Sequence, residues 1–191
     1  MLASLLLGMA LPVSQAAATE LPAAEKGHLA QIADAYLQRR ADAVTLSRSQ
    51  GLRAAAPLAL TAQAADELGG EIAALQDNAR ALEERWSGFS HAEVTVIPGK
   101  GTVSGDTATL EVEEETRLYF PDVQEGDAIT HTSYVLPHTL TFKRAVDGAW
   151  KLADDQTPDN GSGPAVPTQL EDPGPINEPG PDDEPLPGSE D

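Results

Sequence analysis

The sequence predicts an α+β domain in which N-terminal helices pack on a curved antiparallel sheet of four or five strands, followed by a disordered tail. Apolar residues recur at helical spacing through residues 29–86. From Ala92 onwards the period changes to two, which is the period of a strand. The dipeptide Asp147-Gly148 then separates two alternating runs, which is a strong hairpin signal. Helices followed by strands are typical of the α+β class.

The first helix is predicted to begin near Pro22, because a proline in the first turn removes no hydrogen bond that the helix would make. Gly27 is the alternative start, since glycine costs about 1 kcal/mol against alanine inside a helix. The helix is expected to end within residues 45–49. Arg39 and Arg40 lie beside the apolar stripe and are expected to face water. The stripe consists of Leu29, Ile32, Ala33, Tyr36 and Leu37.

A second helix is predicted after Pro57, with Thr61 as its N-cap and Gly88 just past its end. The pair Gly69-Gly70 interrupts the pattern, so two shorter helices are the alternative. The apolar stripe of this helix is expected to cover the sheet. It consists of Leu68, Ile72, Leu75, Ala79, Leu82 and Trp86.

Alternation in residues 92–97 predicts the first strand, and the glycines of residues 99–105 predict a loop after it. The next strand, about 14 residues long, brings Glu114 and Thr116 onto its apolar side. Because strands usually contain about 5–6 residues, a strand this long is expected to bend at a bulge. Such a bulge would also change the face on which Glu114 lies.

A further strand is predicted at residues 129–136, after an acidic loop at residues 121–127. The last two strands are expected on either side of Asp147-Gly148, with apolar residues at 140 and 142 facing those at 150 and 152. Tyr119 is out of phase with its apolar neighbour and is expected at the surface. The aromatic residues expected in the core are Trp86, Phe142 and Trp150.

The first 18 residues resemble a signal peptide. Residues 2–13 are uncharged and largely apolar, and small residues near Ala16–Ala18 suit signal peptidase. The run is too short to span a bilayer, which takes about 20 residues, so we expect a secreted protein and not an integral membrane protein. No Lys or Arg precedes the run, which leaves an attached apolar helix or an uncleaved anchor as alternatives.

The chain from residue 157 to residue 191 is predicted to be a disordered tail behind a folded domain of residues 19–156. Nine of the 38 residues from Asp154 to Asp191 are proline, and these 38 residues contain 11 acidic residues and no basic one. A segment with high charge and few apolar side chains cannot bury enough surface to fold.

The composition excludes several kinds of function. A net charge of −19 repels nucleic acid and anionic lipid, so neither is expected as a partner. The chain has no cysteine, which excludes disulfides and thiolate nucleophiles. None of the four histidines has the spacing of a metal motif, so neither a metal nor a cofactor is expected.

Several segments resemble the N-terminal region of secreted bacterial amidase-domain proteins: YLQRRAD, AALQDNARALEERW, HAEVTVIPGKGTVSGDTATLEVEEETRLYF and HTLTFKRAVDGAWKLADDQ. The resemblance covers about residues 28–156 and carries no catalytic signature. It implies a non-catalytic region that precedes a Pro-rich linker, here PGPINEP. The region is also similar to the cystatin-like or NTF2-like fold, in which helices and a bent sheet often enclose a conical pocket.

Four residues are candidates for the polar groups of such a pocket: Tyr36, Glu114, Thr116 and His138. A histidine beside a buried carboxylate is a usable acid–base pair, and His131 is a second histidine near enough to join it. The alternative is that His138 only begins a strand and that Glu114 faces water at a bulge. The glutamates at 113–115 are expected to form a solvated strand edge, since consecutive strand residues cannot converge on one ion.

These observations predict a secreted, non-catalytic accessory or binding module. Its partner would be a protein, a cell-wall component or a small apolar ligand. The alternative is a small pocket hydrolase or isomerase of NTF2-like type that uses His138 and Glu114.

Overall fold

The computed structural model of the protein describes residues 17–45, 57–86, 88–121 and 129–158, without the side chains of Leu82, Arg85 and Trp86. The predicted signal peptide up to residue 16, the tail from residue 159 and the core position of Trp86 therefore lie outside the described residues. No described helix is long and apolar enough to cross a membrane. The chain has no cysteine and so forms no disulfide.

Two helices pack on a five-stranded, curved antiparallel sheet, which confirms the predicted α+β class. The strands follow one another in chain order across the sheet, so every connection joins neighbouring strands. The elements are β1 (Thr19–Glu20), α1 (Ala23–Asp42), α2 (Ala62–Trp86), β2 (His91–Ser104), β3 (Thr107–Tyr119), β4 (His131–Arg144) and β5 (Trp150–Gln156).

Both helices are continuous. Pro22 is the N-cap of α1, and the helix runs through Gly27. Thr61 caps α2, because its Oγ1 accepts a hydrogen bond from the Ala64 amide at 3.2 Å. A Cβ atom at Gly69 or Gly70 would meet nothing within 4 Å, so these glycines leave α2 unbroken and merely weaken it. The alternatives of a later start and of two shorter helices were wrong.

The predicted hairpin is confirmed. Gly148 has a φ of 84°, a left-handed conformation that glycine adopts without strain. The Asp147 side chain accepts a hydrogen bond from the Ala149 amide at 3.0 Å. The turn between β2 and β3 uses Gly105 in the same way, with a φ of 58°.

Two strand boundaries differ from the prediction. Residues 99–104 belong to β2, because the strand continues past a bulge between Pro98 and Gly101. The strands predicted at residues 129–136 and 140–142 are one strand, β4, and it continues through Pro137. Pro137 is tolerated because β5 begins its pairing only at Thr139, so the proline faces an edge that has no partner strand among the described residues.

The core lies between the concave face of the sheet and the apolar stripes of the helices. Phe142 and Trp150 are buried there, at 0% and 4% exposure, as predicted. The predicted stripe of α1 is buried along its whole length. The other core residues at 0% exposure are Leu29, Ala33, Leu37, Ala43, Ala108, Leu110, Leu118 and Leu140.

Candidate functional site

Glu114 points into the domain from the middle of β3. The pairing of β3 with β4 is unbroken from Thr107 to Tyr119, so Glu114 shares the inward face of Val112 and Thr116. Its exposure is only 3%. The bulge expected in β3 lies instead in β2, so the expectation that Glu114 faces water at a solvated edge was wrong. Strand β3 is the central strand of the sheet.

His138 lies on the neighbouring strand and contacts two carboxylates. Its Nε2 atom is 2.9 Å from Glu114 Oε2, and its Nδ1 atom is 2.8 Å from Asp155 Oδ1. The side chain is fully buried, at 0% exposure. His131 does not join this pair. It lies seven residues away on β4, on the opposite face, where its ring contacts that of Tyr119.

Glu114 is further held by two hydroxyl groups. Thr116 Oγ1 donates to Glu114 Oε1 at 2.5 Å, and Tyr134 Oη donates to the same oxygen at 3.1 Å. Thr116 is fully buried. Both carboxylate oxygens of Glu114 therefore have hydrogen-bond partners: Oε1 accepts from the two hydroxyls, and Oε2 contacts His138 Nε2.

Asp155 joins the sheet to α1. Its Oδ2 atom accepts from the Tyr36 hydroxyl at 3.2 Å and lies 3.3 Å from Nη1 of Arg40. Arg40 also contacts Glu71 of α2, with 2.7 Å from Nη2 to Oε1 and 2.9 Å from Nε to Oε1. At 9% exposure Arg40 is buried, so the expectation that it faces water was wrong.

A bulge in β5 brings Asp155 into the cluster. Thr141 pairs with Asp154 while the adjacent Phe142 pairs with Leu152, which leaves Ala153 as an extra residue. The bulge reverses the alternation after Leu152, so Asp155 instead of Asp154 pairs with the inward-facing Leu140. Period-two reasoning from Trp150 and Leu152 selects the wrong aspartate.

These contacts form one connected set of buried and half-buried polar side chains, which we call the His138 network. Every buried side-chain nitrogen and oxygen in the described part of the chain has a hydrogen-bond partner. The members of the network are Tyr36, Arg40, Glu71, Glu114, Thr116, Tyr134, His138 and Asp155.

The carboxylates keep His138 protonated at neutral pH. Burial alone would lower its pKa, but the hydrogen bonds to Asp155 and Glu114 outweigh burial and raise the pKa to about 9. Burial by itself would raise the pKa of Glu114, but hydrogen bonds from His138 and Thr116 leave that pKa below its ordinary value. Both ring nitrogens of the imidazolium then act as donors.

The phenols of the network stay neutral. Burial raises the pKa of Tyr36, and the charge of Asp155 raises it further. Burial and the charge of Glu114 likewise raise the pKa of Tyr134. For Arg40, burial works to lower the pKa, but the negative charge of Glu71 more than compensates. The network therefore consists of two cations, three carboxyl groups and neutral hydroxyls.

This arrangement is poorly suited to acid–base catalysis. A general base needs a free lone pair within reach of the substrate, and His138 has neither a free nitrogen nor any exposed side-chain surface. Among the described residues there is also no group of three or more His, Cys, Asp or Glu side chains placed to hold a metal ion.

A cavity of about 230 Å³ opens where α1, α2 and the end of β5 meet. It reaches the network at Tyr36, Arg40, Glu71 and Asp155, but Glu114 and Thr116 do not line it. A separate groove runs past Pro137, His138 and Thr139 of β4, although the His138 side chain itself has 0% exposure. The predicted pocket residues are thus brought together, but only Tyr36 faces this cavity. Its ionisable and phenolic lining consists of Tyr36, Arg40, Glu67, Glu71, Asp154 and Asp155.

Sequence reasoning missed Arg40, Tyr134, Glu71 and Asp155. For two of them a signal was present. Arg40 is four residues after Tyr36 and so shares its helix face, and Tyr134 alternates in phase with Leu136 and His138. Asp155 had no such signal, because its inward position depends on the bulge.

Comparison with known proteins identifies no family for this chain. No family model matches it, and no curated protein matches it. A crystal structure of the intermembrane space region of the chloroplast protein ARC6 is similar at 14% identity and a TM-score of 0.43, covering 71% of this chain and 98% of that one. The protein Kfla4162 from Kribbella flavida is similar at 20% identity and a TM-score of 0.39, covering 69% and 90%. Structural similarity at this level supports no argument about function, and neither of these two proteins is named as an amidase-domain protein.

Proposed function

We propose that this chain is a non-catalytic binding module that is exported from the cell, comparable to the N-terminal region of amidase-domain proteins. One observation carries the proposal: the ionisable groups of the domain interior are already bound to one another. His138 uses both nitrogens on Glu114 and Asp155 and has 0% side-chain exposure. A buried network whose donors and acceptors are all satisfied contributes to the specificity of the fold and leaves no group free for chemistry.

The cavity bears on the kind of partner. Four carboxyl groups and one guanidinium line it, whereas a pocket for an apolar ligand is mostly lined by apolar and aromatic side chains. A protein or a cell-wall component is therefore a better candidate than the small apolar ligand that the sequence also suggested. The apolar run and small residues of the first 18 residues support export.

The second candidate is a small pocket hydrolase or isomerase that uses His138 and Glu114. The 2.9 Å contact between their side chains favours it, because a catalytic base is commonly oriented by a neighbouring carboxylate. This function requires an opening of the network, since His138 must release a carboxylate and meet substrate.

A paired substitution separates the two candidates. In the double variant His138→Gln, Glu114→Gln, one positive and one negative charge are removed together and amide groups remain to hydrogen-bond. We expect the wild type to turn over neither ester nor peptide substrates, and both proteins to be retained equally by cell envelope purified from the host. Turnover by the wild type that disappears in the double variant would overturn the proposal, as would absence of retention.

Chemical modification tests the closed network directly. Diethyl pyrocarbonate reacts with unprotonated, accessible imidazole, so we expect native protein to be modified at His28, His91 and His131 but not at His138. Denatured protein serves as the control, because all histidines react there. Rapid modification of His138 in the native protein would show that the network opens readily.

For export, the mass of the protein in culture fluid should correspond to a start near Ala17 or Thr19.

A further inference from the structure

The chain covers two stretches of sheet edge with its own groups. Along β2, the Gln38 side chain acts as a substitute strand: its Nε2 donates to Ala92 O at 3.1 Å, and its Oε1 accepts from the Val94 amide at 3.1 Å. Along β5, the amide of Thr61 donates to Leu152 O at 2.8 Å, and the Leu152 amide donates to Ala59 O at 2.8 Å. Covering a free edge prevents it from pairing with another chain.

A third stretch has no such cover among the described residues. Strand β5 pairs with β4 only from Thr139 to Arg144, so residues 131–137 have a described partner, β3, on one side only. We call this stretch the open edge of β4. The amide of Phe120 donates to Thr130 O at 3.1 Å and that of Arg144 to Asp106 O at 2.8 Å. The backbone N–H and C=O groups of the even-numbered β4 residues therefore hydrogen-bond to β3. Because this direction alternates along an antiparallel strand, the N–H and C=O groups of residues 131, 133 and 135 point away from β3, towards the open edge.

The open edge lacks the usual protection against pairing. Natural edges carry charged side chains that oppose association, but residues 128–142 contain no Asp, Glu, Lys or Arg. Two large apolar side chains are exposed here, Ile129 at 72% and Val135 at 56%. Pro137, at one end, is the single protective feature.

The sequence that follows β5 is a poor candidate for this edge. Extending β5 would place residues 157–164, TPDNGSGP, beside residues 131–138. Prolines lack the amide donor and glycines weaken a strand, and this segment has two of each, so it is poorly suited to extend the sheet. A strand from another molecule is the better match.

We propose that the open edge of β4 pairs antiparallel with the same edge of a second copy of the chain, centred on Ser133, to form a two-fold symmetric dimer. Residue 133 is the midpoint between Ile129 and Pro137. In this register the outward groups of His131 meet those of Val135 in the second copy, which gives about six backbone hydrogen bonds. Pro137 lies opposite Ile129 of the second copy, so its missing donor falls at the end of the pairing and both exposed apolar side chains gain a neighbour.

Charge supports this position for a contact between copies. Each chain carries a net charge of −19, so two copies repel each other over most of their surface. The open edge lies in residues 131–142, the longest uncharged stretch of the described sheet strands, so pairing there brings no charged side chain of β4 itself into the contact. Dimerisation should therefore strengthen with salt, which screens the remaining repulsion.

Single-cysteine variants test the register, because the natural chain has no cysteine. In the full chain, Ser133→Cys places two thiols on the two-fold axis, where Cα atoms are about 5.5 Å apart. We expect a short bismaleimide to link Ser133→Cys into dimers about tenfold faster than it links Thr95→Cys. Thr95 is an exposed residue of β2, two strands from the edge, and serves as the matched control. Equal rates at the two positions would overturn the proposal.

Sedimentation tests the dimer without a cross-linker. At about 100 µM, where a dimer with a micromolar Kd is populated, the full chain should sediment as a dimer and Ser133→Pro as a monomer with an unchanged circular dichroism spectrum. A chain that stays monomeric at every salt concentration overturns the proposal. Dimers that appear after removal of residues 159–191, while the full chain stays monomeric even at high salt, overturn it also: salt already screens the charge of the tail, so the tail itself must then occupy the edge. Neither result affects the proposed function, which depends on the His138 network.

Discussion

At the residue scale, the polar side chains of the His138 network lose contact with water on folding and form hydrogen bonds and ion pairs with one another. Burial of a single charge is costly, but an imidazolium between two carboxylates and a guanidinium between Glu71 and Asp155 offset the loss of water. The network also joins α1, α2, β3, β4 and β5 through side-chain contacts. Its stability should depend on pH because His138 and Glu114 have shifted pKa values.

We expect unfolding to become easier above neutral pH. The pKa of His138 is about 9 in the folded state against 6.5 for a free histidine, so its stabilisation is complete below 6.5 and is lost as pH rises through 9. The difference corresponds to about 3 kcal/mol in the free energy of unfolding. The pKa of Glu114 is lowered, so its contribution is lost as pH falls through that value. Urea unfolding between pH 6 and pH 10 measures the alkaline change.

Two histidine variants serve as the test and control of this pH dependence. His138→Gln should remove most of the decline in unfolding free energy between pH 6.5 and pH 9, since the titrating ring is gone. His91→Gln, at an exposed position, should leave the decline unchanged. A decline that persists in His138→Gln would assign it to another group.

Arg40→Gln should lower the free energy of unfolding by about 3 kcal/mol, because Glu71 and Asp155 lose a buried cationic partner. Arg80→Gln is the matched control, since Arg80 makes an exposed ion pair with Asp77 at 62% side-chain exposure. Exposed pairs contribute little, so the control should stay within about 0.5 kcal/mol of the wild type. Equal effects of the two substitutions in chemical denaturation would contradict the buried role of Arg40.

At the element scale, two bulges shape the sheet. The bulge in β2 lies next to Gly101, which closely approaches the residue after β1: the Gly101 carbonyl accepts a hydrogen bond from the Leu21 amide at 3.0 Å. The bulge in β5 directs Asp155 inwards. Bulges also increase the local twist of a strand, and α1 packs against β2, β3 and β5.

Substitution by alanine should have opposite effects on stability at Gly101 of β2 and Gly27 of α1. A Cβ at Gly101 would lie 2.7 Å from Leu21 Cδ1 and 3.3 Å from Leu110 Cδ1. Since these side chains must shift, Gly101→Ala should destabilise the fold by about 1–2 kcal/mol. Gly27→Ala meets nothing within 4 Å and should stabilise α1 by about 0.5–1 kcal/mol. Thermal unfolding of both variants decides this, and the same sign for both would contradict the packing described around Gly101.

At the scale of the whole molecule, the dominant feature is acidity. With a net charge of −19, repulsion within the chain opposes the compact state, and added salt screens it. We expect the melting temperature to rise between about 10 mM and 0.5 M NaCl. A chain ending at Pro158, which lacks nine acidic residues of the full sequence, is the control and should respond less. An equal response would place the repulsion within the domain rather than between domain and tail.

Much of the architecture follows from local patterns. The α1 stripe, the Thr61 cap and the Asp147-Gly148 turn depend on residues within a few positions of one another. Such signals are readable because the chain need not be folded for the geometry to be favoured. The candidate site was partly readable for the same reason: Glu114 and Thr116 fall on the apolar side of an alternating strand.

The remaining features depend on the pairing of distant segments. The bulges decided that Asp155 faces inwards, and the unbroken register of β3 decided that Glu114 remains buried. Burial of Arg40 required carboxylates from α2 and β5, which lie 31 and 115 residues away along the chain. The sequence by itself determined the elements, their order and the turns, since these rest on local preferences. The tertiary structure alone decided which charges meet, because a one-residue shift in register moves a side chain to the other face of the sheet.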